Sequence, residues 1–362
     1  MYHTEFSQTL SYRAVKNLTQ CNQPVTLDYT AQALVQPIEL KTKYALSDRT
    51  KENIIKHRQD IENILNGQDK RFLLVVGPCS IHDAKAMLEY AECLKILASK
   101  YQQQLKIVMR AYIEKPRSTV GWKGYVYDPS LENAEQKHLQ NLASGLQLSR
   151  QLLVQLAEMD LPLATEVLNP MLSHYFDDIY SWGAIGARTS ESQIHREIAS
   201  LLPYAIGFKN GTDGNVKIAL DAIQSARQPH DFLGVNEYGQ MAMHSSIGNR
   251  CGHLILRGGQ HSTNFDQESI LAIQQQSKAT AIVVDCSHGN SQKIAKNQIT
   301  ALQKVIDERA ITGIKGVMLE SHLRHGKQNI DAQPLIYGCS ITDECIGWEE
   351  TVDCIEYCAK HL

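Results

Sequence analysis

The chain has 362 residues, of which 43% are hydrophobic, and a formal net charge of −3. This is enough apolar sequence for one large core, and the mixed charges contain no long basic tract that would indicate nucleic acid binding. The opening MYHTEFSQTL lacks the features of a signal peptide, and no apolar run approaches the roughly 18 residues of a membrane-spanning helix. The nine cysteines include no CxxC pair, which favours a reducing compartment. We therefore expect a soluble, cytoplasmic protein that binds neither nucleic acid nor membrane.

Residues 1–70 are predicted to form a polar N-terminal extension. Within it, KENIIKHRQDIENILNG has apolar residues at helical spacing and ends at Gly67. From residue 71 to 362, short β-rich runs alternate with longer helix-like stretches. The eight predicted strands are LLVVG (73–77), KIVMRAY (106–112), PLATEVL (162–168), AIGAR (184–188), AIGFK (205–209), HLILRG (253–258), AIVVDCS (281–287) and IKGVMLES (314–321).

The alternation of strands and helices predicts an α/β fold, and the strand count and length favour a closed (β/α)₈ TIM barrel. An open doubly wound sheet is the alternative, but no GxGxxG pattern follows the first strand. Before the sixth strand, FLGVNEYGQMAMHSSIGN interrupts the alternation and is predicted to form an inserted β-hairpin at about residues 231–250. The predicted domains are therefore the extension, 1–70, and a catalytic barrel, 71–362, that carries the hairpin.

The residues at the C-terminal ends of the predicted strands are charged or metal-binding. They are Cys79, Arg110 with Lys115 just beyond it, Glu166, Arg188, Lys209, Arg257, His288 and Glu320. A TIM barrel places its active site at this face. One such residue could simply be solvated, but a series over eight strand ends predicts that the face is functional.

Five of these side chains are cations that converge on one rim: Arg110, Lys115, Arg188, Lys209 and Arg257. Leaving them unpaired would be costly through repulsion and desolvation, so they predict a strongly anionic ligand. The guanidinium fork suits bidentate contact with phosphate or carboxylate, whereas lysine supplies a movable charge or a proton. A small phosphorylated acid fits this set. The alternative is that each base pairs with a local carboxylate.

A second set contains metal-ligating side chains: Cys79, His288, Glu320 and the later Asp343. Thiolate, imidazole and carboxylate donors together make a mixed site that tolerates one divalent ion such as Mn²⁺, Fe²⁺, Co²⁺ or Zn²⁺. Other candidates lie nearby in the sequence, since CSIH has ligand-like spacing. Its His82 is interpreted as a structural residue instead, because two loop positions three apart need not point the same way.

Several long motifs resemble one enzyme family: GPCSIHD, RAYIEKPRSTVGWKG, WGAIGARTSESQIHRE, GFKNGTDG, HLILRGG, DCSHGNS, ESHL and YGCSITDECIGWE. They are similar to 3-deoxy-D-arabino-heptulosonate 7-phosphate (DAHP) synthases of the feedback-regulated bacterial and yeast type. The similarity runs in unbroken order from about residue 45 to 355. It implies a transferase that condenses phosphoenolpyruvate with erythrose 4-phosphate in the presence of a divalent metal, at the first step of the shikimate pathway.

The resemblance also implies a role for each matching position. The metal ligands of the family fall on Cys79, His288, Glu320 and Asp343. Phosphoenolpyruvate would be held by Arg110, Lys115, Arg188, Lys209 and Arg257, with the backbone of Gly186 and Ala187 beside it. The motif KPR[ST]T would grip erythrose 4-phosphate through Lys115, Pro116, Arg117 and Ser118. Family members often carry threonine at the position of Ser118, and because the hydroxyl is kept we expect a modest effect.

The implied chemistry joins carbon to carbon. The metal would polarise the aldehyde of erythrose 4-phosphate as carbon 3 of phosphoenolpyruvate attacks. A water oriented by Glu166 and Lys209 would then add at carbon 2, and the product would lose phosphate. Lys115 is the candidate proton donor to the developing alkoxide, although electrostatic stabilisation without transfer would serve equally.

By resemblance, the extension and the hairpin form an aromatic amino acid site and contribute to a homo-oligomer, a dimer or tetramer. The effector residues are predicted near Pro170, Ser173, His174, Phe232 and Gly234. Gly234 favours the tyrosine-sensitive subtype, because phenylalanine-sensitive members tend to carry serine there. A phenylalanine-sensitive enzyme and simple barrel packing without an effector are the alternatives.

Two rival functions remain. A related synthase that uses arabinose 5-phosphate would carry an asparagine-containing loop where this chain has KPRST. A non-catalytic metabolite sensor would need no metal, and four candidate ligands speak against it.

Overall fold

The computed structural model describes residues 10–11, 14–16, 25–27, 30–117, 121–131, 138–277, 280–332 and 334–362. Its strands are β1 (Leu10–Ser11), β2 (Ala14–Lys16), β3 (Val25–Leu27), β4 (Thr30–Ala31), β5 (Phe72–Gly77), β6 (Leu105–Arg110), β7 (Leu163–Glu166), β8 (Trp182–Ile185), β9 (Ala205–Lys209), β10 (His230–Val235), β11 (Met241–Ser246), β12 (His253–Leu256), β13 (Ile282–Asp285) and β14 (Gly316–Glu320). Its α-helices are α1 (Pro37–Lys43), α2 (Asp48–Leu65), α3 (Ala84–Lys100), α4 (His138–Glu158), α5 (Ser173–Phe176), α6 (Gln193–Leu201), α7 (Lys217–Ala226), α8 (Gln267–Gln276), α9 (Asn297–Asp307), α10 (Arg309–Thr312) and α11 (Trp348–His361), and a 3₁₀ helix spans Pro170–Leu172. Within the described ranges, no helix has both the length and the apolarity to cross a membrane.

Eight parallel strands close into a barrel in the order β5, β6, β7, β8, β9, β12, β13, β14. The barrel is shut by β14, which pairs with β5 from Gly316↔Leu73 to Glu320↔Gly77. Helices follow the strands and cover the outside, so strands such as β5 and β6 are buried along their whole length. Burial on both faces explains why β5 is a continuous apolar run. The predicted (β/α)₈ barrel is confirmed, and the open doubly wound sheet is excluded.

Several strands end earlier than the sequence predicted. β8 ends at Ile185 and β13 at Asp285, two or three residues before the predicted ends. Local hydrogen bonds replace the strand ladder at these points: Ser287 N–H donates to Asp285 Oδ1 at 3.0 Å, and the Ser190 hydroxyl donates to the Gly186 carbonyl at 3.1 Å. Residues just beyond the strands therefore lie on turns that project over the end of the barrel.

The barrel interior contains a large aromatic side chain that a glycine on the adjacent strand accommodates. Trp182 is fully buried and donates through Nε1 to His253 Nε2 at 3.1 Å. On the adjacent strand, a Cβ at Gly207 would lie 2.7 Å from that same Nε2. The missing side chain at Gly207 thus makes room for the Trp182–His253 pair, and the interior is a packed core.

The helix predicted in the N-terminal extension is present as α2, and it covers the N-terminal end of the barrel. Its residues Ile61 and Ile64 belong to the same buried cluster as Leu73 and Val75 of β5. Asp60 of α2 also forms an ion pair with the buried Lys106 of β6, with Oδ2 at 2.7 Å from Nζ. Because α2 covers this end of the barrel, the cavity described below lies at the other end.

The inserted hairpin is present where it was predicted. Strands β10 and β11 pair antiparallel with Phe232 opposite His244 and Gly234 opposite Ala242. The turn between them contains Gly239 with φ of 72°, a conformation that favours glycine. The hairpin packs against α6 beside the barrel and is not part of its sheet.

Candidate active site

A cavity of about 910 Å³ lies at the C-terminal ends of the barrel strands. Every predicted substrate, catalytic and metal residue that the structure describes lines it: Cys79, Arg110, Lys115, Pro116, Arg117, Glu166, Gly186, Ala187, Arg188, Lys209, Arg257, His288, Glu320 and Asp343. Ser118 lies outside the described residues. Residues separated by more than two hundred positions in sequence are therefore brought to one surface.

Arg110, the last residue of β6, is fixed within the floor of the cavity. Its Nε donates to the Pro78 carbonyl at 3.1 Å and its Nη2 to Glu320 Oε1 at 3.1 Å. The guanidinium lies over the ring of Tyr112, 4.1 Å from the centroid. No described residue accepts a hydrogen bond from Nη1. Three sides of the guanidinium are held by protein, which leaves Nη1 as the donor available to a ligand.

Three of the four predicted metal ligands form a cluster. The donor atoms of Cys79, Glu320 and Asp343 all lie within 4.8 Å of one another. Lys115 Nζ is 2.8 Å from the Cys79 sulfur and 2.6 Å from Asp343 Oδ2. Burial, with Glu320 nearby, raises the pKa of Cys79 to about 12, so the group is a thiol unless a strong positive charge displaces its proton. A sulfur and two carboxylates are donors that fit a borderline divalent ion.

His288, the fourth predicted ligand, lies at the edge of this cluster. Its Nε2 is 3.9 Å from Glu320 Oε1, and it is not a member of the mutually close group of three. The backbone of His288 has φ of 55°, which is uncommon for a residue with a side chain. Its other ring nitrogen, Nδ1, lies 2.9 Å from Asp285 Oδ2.

Asp285 is a buried residue of the site that the sequence interpretation missed. Its Oδ2 also lies 3.0 Å from Lys209 Nζ. Burial alone would raise the pKa of this carboxyl, but His288 and Lys209 beside it hold that pKa well below its usual value. One feature of the sequence pointed to Asp285 as a site residue: it directly follows the apolar run AIVV, near the end of a predicted strand.

The loops after β12 and β13 approach each other through glycines. A Cβ at Gly258, where φ is 72°, would lie 2.6 Å from the backbone nitrogen of Asn290. A Cβ at Gly289 would lie 2.4 Å from the Gly259 carbonyl oxygen. This contact brings the loop that starts at Arg257 against the loop that contains His288, so the cationic and metal-ligating sets are held side by side.

Comparison with known proteins identifies the family. The model of the DAHP synthetase I family matches residues 40–356. The chain belongs to this family. It is 46% identical over 336 residues to the Trp-sensitive phospho-2-dehydro-3-deoxyheptonate aldolase of Escherichia coli (strain K12), covering 91% of this chain and 95% of that protein. It is 43% identical over 341 residues to the phenylalanine-inhibited enzyme of Saccharomyces cerevisiae, covering 90% of each.

A solved structure supports the same assignment. The phospho-2-dehydro-3-deoxyheptonate aldolase of Francisella tularensis SCHU S4 superposes with a TM-score of 0.87 at 44% identity, covering 91% of this chain and 97% of that one. The predicted family and the prediction that the chain is an enzyme of the transferase class are confirmed. The predicted tyrosine-sensitive subtype stays a prediction, since these relatives are named for tryptophan and phenylalanine.

In this DAHP synthetase I member, the loop that contains the KPR motif is anchored at its base. Lys115 N–H donates to the Lys123 carbonyl at 2.8 Å, and Arg117 Nε donates to the Trp122 carbonyl at 2.8 Å. Glu114, which precedes Lys115 in the chain, accepts from the Tyr127 hydroxyl at 3.3 Å. Burial raises the pKa of Glu114 to about 7. The residue directly before the KPR motif therefore carries a carboxyl group whose pKa lies near neutral.

The predicted effector residues lie apart from the cavity and do not line it. His174 and Phe232 both stack on His244, with ring centroids 5.2 Å and 5.5 Å away. A Cβ at Gly234 would lie 2.7 Å from His244 Cδ2, so the glycine accommodates the imidazole. Pro170 begins the 3₁₀ helix and Ser173 begins α5, the segment that contains His174. The sequence interpretation missed His244, because its position depends on the strand register of the hairpin.

Proposed function

We propose that this enzyme is a DAHP synthase that acts in the cytoplasm. It condenses phosphoenolpyruvate with D-erythrose 4-phosphate and water to give DAHP and phosphate, the first step towards the aromatic amino acids. One observation carries the proposal: a single cavity brings the predicted set of five cations beside the thiol, imidazole and two carboxylates of the predicted metal site. Two phosphate esters and one divalent ion are the ligands that this combination fits.

The side chains divide the chemistry between them. A divalent ion held by Cys79, His288, Glu320 and Asp343 would supply Lewis-acid polarisation of the aldehyde. Arg110, through its available Nη1, and the cations of the opposite wall, Arg188 and Arg257, hold phosphoenolpyruvate.

Carbon 3 of the enol then bonds to carbon 1 of erythrose 4-phosphate, and Lys115 gives a proton to the aldehyde oxygen. Lys115 fits this role because its ammonium already lies beside Cys79 and Asp343. A water that Glu166 and Lys209 orient adds at carbon 2 and gives its proton to the Glu166 carboxylate. The bond from carbon 2 to the phosphate oxygen breaks, and phosphate leaves with the electron pair. Arg117 and Ser118 bind the phosphate of erythrose 4-phosphate throughout.

Steady-state kinetics with both substrates test this proposal. Phosphoenolpyruvate consumption should require erythrose 4-phosphate, stop in excess chelator and return with Mn²⁺, Fe²⁺, Co²⁺ or Zn²⁺. Consumption with arabinose 5-phosphate instead would favour the related synthase. No consumption with either sugar would favour a metabolite sensor and would overturn the proposal.

We also propose that the N-terminal extension and the hairpin serve assembly, while residues 71–362 form the catalytic barrel. The outer surface of the hairpin is strongly apolar: Leu233 is 71% exposed, Met243 76% and Ile247 92%. Apolar patches of this kind mark association surfaces, and a second copy of the chain is the occupant expected for a homo-oligomer. Analytical ultracentrifugation should show a dimer or tetramer for the wild type and a smaller species for Met243→Lys. An unchanged mass for the variant would refute the role of this surface.

The cluster around His244 is proposed as the site of an aromatic amino acid effector, with tyrosine favoured. Stacked rings and a small residue at Gly234 are the features that suit an aromatic ligand. Inhibition assays with phenylalanine, tyrosine and tryptophan decide the effector. Gly234→Ser should weaken inhibition by tyrosine while the KM of both substrates stays constant, since its Cβ would displace His244. Insensitivity of the wild type to all three would remove the regulatory proposal.

A further inference from the structure

Asp285 joins two parts of the site to which the proposed function gives different tasks. It ends β13, is 1% exposed and is not among the residues that line the cavity. Its Oδ2 lies 2.9 Å from His288 Nδ1 and 3.0 Å from Lys209 Nζ. The angles at both contacts fall short of hydrogen-bond geometry, so Lys209 is an ion-pair partner of Asp285 and the His288 ring is a close polar neighbour. Asp285 therefore acts on the reactants through neighbouring side chains, of which His288 and Lys209 are in contact with it.

The first consequence concerns the proton on His288. A carboxylate oxygen opposite Nδ1 stabilises a proton on that nitrogen. The lone pair of the neutral ring is then on Nε2, the nitrogen that faces Glu320. Imidazole binds a metal through such a lone pair, and a carboxylate behind the ring fixes its orientation and raises its basicity.

The second consequence concerns the position of Lys209. This side chain is buried, with 3% exposure, and its described ion-pair partner is Asp285. A buried ammonium requires a compensating charge. The Asp285 carboxylate is itself anchored, because its Oδ1 accepts from Ser287 N–H at 3.0 Å. The Lys209 ammonium is therefore held in a fixed position at the C-terminal end of β9.

We propose that Asp285 is a positioning residue that directs His288 Nε2 towards the metal donors and holds Lys209 beneath the substrate. This inference rests on the proposed function. Removing the charge of Asp285 should therefore impair both metal binding by His288 and the positioning of Lys209. Asp285 itself would contact neither the metal nor the substrate.

The test is Asp285→Asn, which preserves shape. Ser287 N–H keeps the amide oxygen as its acceptor, so the NH₂ group faces His288 Nδ1 and Lys209. An NH₂ group cannot accept from Nδ1–H, and the ring proton moves to Nε2, where it blocks the lone pair. We expect affinity for Mn²⁺, measured without substrates by the electron paramagnetic resonance signal of the free ion, to fall about 10–100-fold.

The matched control is Asp60→Asn. Asp60 also pairs with a buried lysine, Lys106 at 2.7 Å, but at the opposite end of the barrel. This variant should lose stability comparably and keep Mn²⁺ affinity within about twofold. Equal loss of affinity in both variants would overturn the inference, and so would wild-type affinity in Asp285→Asn. A wild-type protein that binds no Mn²⁺ would refute the proposed function itself.

If Asp285→Asn does not fold, a second pair of variants tests the same inference. Lys209→Met removes the cation that needs Asp285, and Asp285→Asn is then added to it. The double variant should bind Mn²⁺ about 10–100-fold more weakly than Lys209→Met alone. Equal affinities in this pair would overturn the role assigned to the imidazole.

Discussion

Replacing Arg257 with alanine should weaken phosphoenolpyruvate binding without unfolding the protein. The Arg257 guanidinium donates to the Gly258 carbonyl at 3.3 Å, and the backbone N–H donates to Asn210 Oδ1 at 2.8 Å. Neither contact is an ion pair, so losing the side chain breaks no salt bridge to a described carboxylate. Arg110 differs, because its removal would leave the buried Glu320 without its partner at 3.1 Å, at a cost of about 3–5 kcal/mol.

The expected size follows from the contacts that Arg257 can offer. A charge-assisted hydrogen bond to a ligand contributes about 2 kcal/mol, which is roughly a 30-fold change in affinity. The KM for phosphoenolpyruvate, measured at saturating erythrose 4-phosphate, should rise by about that factor, with the unfolding midpoint nearly constant. Arg257→Lys is the matched control, because it keeps the charge, loses the fork and should give an intermediate KM. A KM within threefold of wild type for Arg257→Ala, or an equal rise for both substrates, would refute the assignment.

Cys79→Ala should abolish chelator-sensitive turnover while circular dichroism shows a folded protein; full activity in chelator would contradict the metal assignment. Arg117→Ala should raise the KM for erythrose 4-phosphate about tenfold, since one charge-assisted bond is lost, with the KM for phosphoenolpyruvate within twofold; equal losses would count against the division of roles. Burial raises the pKa of Glu114 from 4.5 to about 7, so the folded state binds this proton more tightly than the unfolded state. The free energy of unfolding should therefore fall by up to about 1.4 kcal/mol per pH unit as the pH rises from about 4.5 to about 7. Urea titrations of Glu114→Gln should lack this fall, and parallel curves for both proteins would show that another group is responsible.

The barrel could be predicted from sequence because its physical signal is local. Runs such as LLVV and AIVV are apolar at every position, as expected for strands that are buried on both faces. The predicted ends of the strands agree less well with the structure. AIGAR was predicted as a strand to Arg188, whereas β8 ends at Ile185, because side-chain bonds such as that of Ser190 to the Gly186 carbonyl begin the turn.

The site was predicted as a set of strand-end residues, and the structure lines one cavity with those it describes. The connections among them could not be read from the sequence. Asp285 lies between Lys209 and His288, and this depends on how neighbouring strands align in the closed barrel. His244 reaches Phe232 and Gly234 only through the register of β10 and β11. Long-range register is the information that a single sequence withholds.

The pairing of β14 with β5, which closes the barrel, has a consequence for the order of events during synthesis of the chain. Cys79 follows the first barrel strand and Glu320 ends the last, where Gly77 and Glu320 are paired across the closure. Joining such distant chain segments is slow and entropically costly. While β14 is still inside the ribosome, the nascent chain can bury much of its apolar sequence. It cannot yet assemble the cluster of Cys79, Glu320 and Asp343. We expect ion capture to be among the last steps of maturation, after synthesis of nearly the whole chain.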